Sequence, residues 1–301
     1  MNPAPRLLAT CWTTSGAAKP TGPTVSPFSV RDRIAAVAAD GWSGFGLVHA
    51  DLVAFTREHP LADLRRMLDD HGIEQLELEL IGDWWAEGER RAAADRVRRD
   101  IFEAAEVLGA KTVKAGPDTE GPAPDPARLA ASFDALATEA AEHGTRIALE
   151  FLPFAGRLCD LRAGIDLVTQ VANPAGGLCL DIWHVARPRT DYRLIAEVLH
   201  SDTLPSDYIF AVELNDGAAE PVGTLFEDTV HRRLLPGSGS FDVPAFINAV
   251  RDAGYDGMWG VEMLSDRHRT LPLPEALREA REATLACFAE ADRLRADPEP
   301  S

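Results

Sequence analysis

Four carboxylates stand at or near the ends of four successive apolar runs in the second half of the chain. They are Glu150 in Arg-Ile-Ala-Leu-Glu, Asp181 in Gly-Leu-Cys-Leu-Asp, Glu213 in Ile-Phe-Ala-Val-Glu and Glu262 in Met-Trp-Gly-Val-Glu. Each run reads as a short buried strand, and each acid lies where that strand would leave the core. If the strands are parallel neighbours, the acids converge. Gathered carboxylates repel one another unless some are protonated or a cation lies between them. One divalent metal ion held by Glu150, Asp181, Glu213 and Glu262 is therefore expected. An all-oxygen set suits a hard cation, Mn²⁺ or Mg²⁺ first, with Co²⁺ or Zn²⁺ as alternatives.

A second group of residues could act on a substrate held there. His184 follows Asp181 by three positions in Asp181-Ile-Trp183-His184, so it would stand just above the strand end. Imidazole titrates near neutrality and can serve as general acid or base. Trp183 could wall the pocket or belong to the core. In His231-Arg232-Arg233-Leu-Leu-Pro-Gly the twin arginine could bind a carboxylate or phosphate through paired hydrogen bonds. Arg232 is the stronger candidate; Arg233 could equally be a solvated charge. His49, Asp51 and Lys114 are further polar residues at strand ends. Glu77 and Glu79, two apart in the third strand, share one face that could point inward. Each of these is also open to a purely structural role.

The elements that must position these side chains alternate regularly. Short apolar runs at 7–12, 43–48, 75–81, 111–116, 146–152, 177–183, 209–214 and 258–263 read as strands. Helical patterns lie near 29–40, 61–71, 89–109, 126–143, 161–172, 191–199, 242–253 and 273–294. Several end at glycine, among them Gly41, Gly72, Gly109, Gly144 and Gly254. Strand–helix alternation implies right-handed crossovers and a parallel sheet, and eight units imply closure into a (β/α)8 TIM barrel over one domain, 1–301. A doubly wound open sheet is the alternative, but no Gly-x-Gly-x-x-Gly follows the first strand. Two long connections, 13–28 and 215–241, follow strands and would lie on the catalytic face. The tail, about 295–301, is expected to be disordered.

Bulk properties narrow the function classes. The formal net charge of −18 over 301 residues opposes binding to nucleic acid or to anionic membranes. No apolar run is long enough to span a bilayer, and no basic segment followed by an apolar stretch marks a secretory signal. The four cysteines are scattered without Cys-x-x-Cys spacing, which suits reduced thiols and a cytoplasmic protein. Nothing in the composition opposes a homo-oligomer.

On these residues the whole chain resembles the xylose isomerase-like TIM-barrel superfamily of sugar isomerases and epimerases. That superfamily also contains endonuclease IV and metal-dependent 3-dehydroshikimate dehydratases. The matching segments are Ala-Leu-Glu150-Phe, Asp181-Ile-Trp-His184, Glu213-Leu-Asn-Asp216, Arg232-Arg-Leu-Leu-Pro-Gly-Ser-Gly and Gly-Val-Glu262. The resemblance implies one divalent metal on the four acids, gripping a substrate carbonyl and its neighbouring hydroxyl. Two departures stand out. The third ligand is usually His in the epimerases and Gln in the dehydratases, where this chain has Glu213, and Ser238 occupies a position where Glu is common. The Arg-Arg-Leu-Leu-Pro-Gly stretch and the Glu-Leu-Asn-Asp run before it lie nearer the dehydratase branch than the ketose epimerases. Endonuclease IV uses more histidines, and the charge here opposes DNA.

The chemistry so implied is removal of a proton next to a carbonyl, with Glu150, Glu262 or His184 as base and acid. The substrate expected is a small polyhydroxy carbonyl compound, such as a sugar or cyclitol, with or without a carboxylate or phosphate that Arg232 would orient. Isomerisation or epimerisation is the first expectation and dehydration the second. A barrel that binds without catalysis is the reading from another class, and the intact set of acids with His184 argues against it.

Overall fold

The structure, a computed structural model, describes residues 4–22, 24–119, 121, 123–195 and 208–296. Eight strands are present: β1 Leu7–Ala9, β2 Gly44–Val48, β3 Gln75–Ile81, β4 Thr112–Ala115, β5 Arg146–Glu150, β6 Gly176–Asp181, β7 Ile209–Leu214 and β8 Trp259–Val261. All pair in parallel, in sequence order, and β8 closes on β1. The (β/α)8 barrel expected from the alternation is the fold.

The period of two along each strand sorts its side chains. On β5 Ile147 and Leu149, on β6 Leu178 and Leu180, and on β7 Val212 and Leu214 join one apolar core with the surrounding helices. Alternating with them, Ala148 and Glu150, Cys179 and Asp181, and Ala211 and Glu213 occupy the other face. That inner face is built of small or ionisable residues rather than large aliphatic ones. Gly46 of β2 belongs to the same economy of space, since a Cβ there would lie 2.5 Å from the Cys11 backbone nitrogen.

Outside the barrel run the helices Val30–Ala39, Leu61–Asp70, Gly88–Leu108, Pro126–Glu142, Leu161–Val171, Val243–Asp252 and Leu273–Ala296. The helices before Gly109 and Gly144 stop where the sequence expects, each glycine taking a positive φ of 67° and 69° respectively. The helix expected at 191–199 runs into residues outside those described. The disordered tail is corrected at its start. Arg295 and Ala296 continue the last helix, with Arg295 ion-paired to Asp252, and 297–301 lie outside the described residues.

Six of the strands are shorter than the apolar runs suggested, β1 and β8 by the most. β1 stops at Ala9 because the helix Cys11–Thr14 begins, and β8 stops at Val261. β6 stops at Asp181, whose carboxylate caps the helix Ile182–Ala186 by accepting the Trp183 N–H at 2.8 Å. The connection 215–241 contains a further helix, Leu225–His231, opened by a capping box between Thr224 and Glu227.

Candidate metal centre and active site

The register of the last four strands decides which acids meet. Asp181 is paired with Glu213 across β6 and β7, and Glu213 with Gly260 across β7 and β8, two residues before Glu262. Glu150 lies one strand earlier, opposite Cys179. One oxygen each from Glu150, Asp181, Glu213 and Glu262 lies within 4.8 Å of all the others, and all four side chains are buried. Oxygens on opposite sides of one small divalent cation stand about 4–5 Å apart, so the four residues fit a single ion. Glu150, Asp181 and His184 also satisfy that spacing as a smaller set.

Two buried cations divide the acids between them. The Lys114 ammonium, from β4, lies 2.6 Å from Glu213, 2.7 Å from Glu79 and 3.2 Å from Glu262. The Arg233 guanidinium lies 2.5 Å from Asp181 and 2.8 Å from Glu262 on the other side, and also donates to the Thr229 hydroxyl at 2.9 Å. The second Asp181 oxygen accepts from the Asn215 amide at 2.8 Å. His184 places Nε2 3.2 Å from Glu150, and its Nδ1 has no partner among the described residues.

Burial and charge pull the acids apart in their affinity for protons. Burial would raise Glu150, but the hydrogen bond with His184 and the charge of Lys114 outweigh it and hold this carboxyl at about 2. Burial pushes Glu262 up to about 7 and Glu77 to about 8, against the lowering influence of Lys114. Glu213 is raised as well, by burial and then by the nearby Glu262 charge. Lys114 is opposed by burial, yet Glu213 and Glu262 raise it and keep it an ammonium. A charged amine held by carboxylates is not a nucleophile, so Schiff-base chemistry is not what Lys114 is placed for.

Above the acids opens a cavity of about 330 Å³. Glu79, Glu150, His184, Arg233 and Glu262 contribute to its lining, together with Trp12, Trp85, Leu152 and Leu264. Both long connections reach it, through Pro20 from the first and Phe226, Thr229 and Val230 from the second. Phe226 meets Phe154 edge to face at 5.6 Å.

The remaining candidates from sequence are distributed differently from the expectation. Arg233, not Arg232, reaches the acids. Arg232 is exposed and its backbone bridges to Ser265, and successive side chains of an extended segment point to opposite sides. Trp183 is fully buried behind His184, edge-on at 5.2 Å, and does not line the cavity. Lys114 lies among the carboxylates and likewise does not line it. His49 opens the helix His49–Thr56 and pairs with Asp100 at 2.8 Å, away from the cavity, while Asp51 pairs with the buried Arg33. Glu77 and Glu79 do point inward and are buried. Sequence reasoning did not single out Asn215 or Thr229. Asn215 sat inside the quoted Glu-Leu-Asn-Asp run, and Thr229 follows the Thr224-x-x-Glu227 helix signature, so both had a readable signal.

The chain is 30% identical over 248 residues to a 3-dehydroshikimate dehydratase of Pseudomonas aeruginosa, matching 80% of this chain and 37% of that protein. It is 24% identical over 243 residues to an inosose isomerase of Bacillus velezensis, covering 78% of this chain and 83% of the isomerase. Among solved structures, the IOLI protein with a bound zinc atom superposes with a TM-score of 0.78 at 21% identity, over 95% of this chain and 99% of that one. The chain thus spans well under half the length of the dehydratase it matches. The family model of xylose isomerase-like TIM barrels matches residues 34–287, and the chain belongs to that family.

Proposed function

We propose that the chain is a divalent-metal-dependent isomerase or epimerase of an α-hydroxy carbonyl compound, a sugar or cyclitol. The observation that carries this reading is the convergence of Glu150, Asp181, Glu213 and Glu262 on one point beneath a cavity that His184 and Arg233 also line. A cation held by these acids would polarise the substrate carbonyl and offset the negative charge that develops when a neighbouring carbon loses its proton. Proton transfer then falls to the chain. Glu262 and His184 both line the cavity and are the groups placed to accept and return that proton. Glu150, at about 2, stays ionised and orients His184 through their 3.2 Å contact. Arg233, fixed by Asp181, Glu262 and Thr229, offers the cavity a rigid cationic wall for substrate oxygens. Arg232 drops out of that role on its placement.

Dehydration is the second reading, and the 30% identity to a dehydratase favours it. Both reactions begin with the same proton abstraction. Incubation with candidate cyclic and linear α-hydroxy ketones in D₂O, followed by NMR, tests the reading. Deuterium entering the carbon next to the carbonyl is the expected result, and growth of a conjugated ultraviolet band would assign dehydration instead. Metal-loaded protein that exchanges no substrate proton across the panel would overturn the catalytic assignment. The partner expected is thus a small neutral or anionic polyhydroxy carbonyl compound.

A further inference from the structure

Of the four candidate ligands, Asp181 is paired with Arg233, whereas Glu213 takes its counter-charge from Lys114. The Glu213 Oε1 lies 2.6 Å from the Lys114 ammonium, and its Oε2 faces the Cys179 thiol at 3.7 Å. Lys114 is wholly buried, reaches Glu79, Glu213 and Glu262 at once, and is absent from the cavity lining. It bridges β3, β7 and the end of β8 across the barrel. A buried ammonium at this depth is costly unless several acceptors share it, and here they do.

We propose that Lys114 is the resident counter-ion of the metal centre. Its ammonium holds Glu213 and Glu262 in place when no metal is bound, and its positive charge beside the ligands sets how tightly a divalent cation can bind. The inference rests on the reading of the four acids as a metal site. A fixed charge within a few ångström of a divalent ion, in a medium of effective dielectric near 20, repels it by much more than thermal energy. Lys114 therefore weakens metal binding while Glu213 strengthens it, and the two effects oppose each other. The carboxylate in the third ligand position is accommodated because a lysine from across the barrel offsets its charge. Lys114 is in this sense a positioning residue.

A charge cycle tests it on the full chain after chelation, with Mn²⁺ itself as probe. Isothermal titration and thermal melting are run on wild type, Lys114→Met, Glu213→Gln and the double variant. Lys114→Met is expected to bind Mn²⁺ about tenfold tighter or more and, without metal, to melt well below wild type. Glu213→Gln is expected to bind about tenfold weaker or more, and the double variant to return to within about threefold of wild type. A Lys114→Met protein whose Mn²⁺ affinity lies within twofold of wild type, or is weaker, overturns the inference. If that variant does not fold, the double variant decides, because it removes one buried charge of each sign; an affinity far from wild type then overturns the inference. Failure of wild type to bind any of Mn²⁺, Mg²⁺, Co²⁺ or Zn²⁺ is a different result, and it removes the metal reading itself.

Discussion

Arg233 donates to Asp181 and Glu262 from a fully buried position, whereas the side chain of its neighbour Arg232 lies in solvent. Removing Arg233 leaves two buried carboxylates short of a partner, which typically costs about 3–5 kcal/mol. Arg233→Ala should therefore melt far below wild type and lose activity, while Arg232→Ala should stay within about 0.5 kcal/mol on urea denaturation. Equal effects of the two variants would mean that the buried pairings carry no net stability. Glu77 gives a second prediction, through pH. Its carboxyl is raised by burial from the ordinary 4.5 to about 8, so between these values the folded chain binds more protons than the unfolded one. Stability from this group is full below about 4.5 and declines as pH rises through about 8. Glu77→Gln should flatten that alkaline decline in metal-free protein, as followed by melting at pH 6, 7 and 8; a decline unchanged by the substitution would show that Glu77 is ionised in the fold. The sequence could show that Glu77 and Glu79 share a face, because alternation along a strand is local. It could not show that Lys114 answers them, because that contact depends on the register between β3 and β4, which shifts between Leu78 and Ile81.

The helix Leu225–His231 shows where element-level reading stopped short. The stretch 215–241 looked like one long loop because its glycines and prolines mask a single two-turn helix. Thr224 and Glu227 nevertheless form a capping box, each satisfying an N–H that the helix start would otherwise leave open. This helix puts Phe226, Thr229 and Val230 on the cavity and positions Thr229 to hold Arg233. Loss of an N-cap costs about 1 kcal/mol. Thr224→Ala should consequently leave global stability nearly intact but speed amide hydrogen exchange through 225–231. Substrate affinity should weaken more than turnover, since the acids themselves do not move. Unchanged protection in that segment would show that packing alone, including the Phe154–Phe226 contact, keeps the helix in place. The outer helices, by contrast, were legible almost to the residue. Long amphipathic runs ended by glycine carry their own boundaries, whereas short helices at strand ends borrow theirs from the barrel.

At the scale of the whole molecule, the fold was readable because one unit repeats eight times with the same apolar period. Each repeat confirms the others, so local errors at strand ends do not disturb the count. The convergence of the acids was also readable, as a consequence of parallel order, but their balance of charge was not. The barrel interior gathers six buried carboxylates, Glu77, Glu79, Glu150, Asp181, Glu213 and Glu262, against the buried cations Lys114 and Arg233. Part of the excess is relieved by protons, since Glu77 is raised to about 8 and Glu262 to about 7 in the metal-free chain. A divalent cation held by the four proposed ligands would relieve the rest, and that relief would be available only to the folded chain. A cation present at 100 times its dissociation constant therefore adds about 2.7 kcal/mol to folding stability. For a domain of this size that corresponds to a rise of about 5 °C in melting temperature. Thermal melts of chelated protein with and without returned Mn²⁺ or Mg²⁺ should show such a rise, and the Glu150→Gln and Asp181→Asn variants should lose it. Monovalent salt at the same ionic strength should not reproduce it, because screening acts weakly on charges sealed inside the barrel. If sodium chloride raised the melting temperature as far as the divalent ion does, the gain would come from general screening of a chain of net charge −18, and not from a site at the barrel mouth.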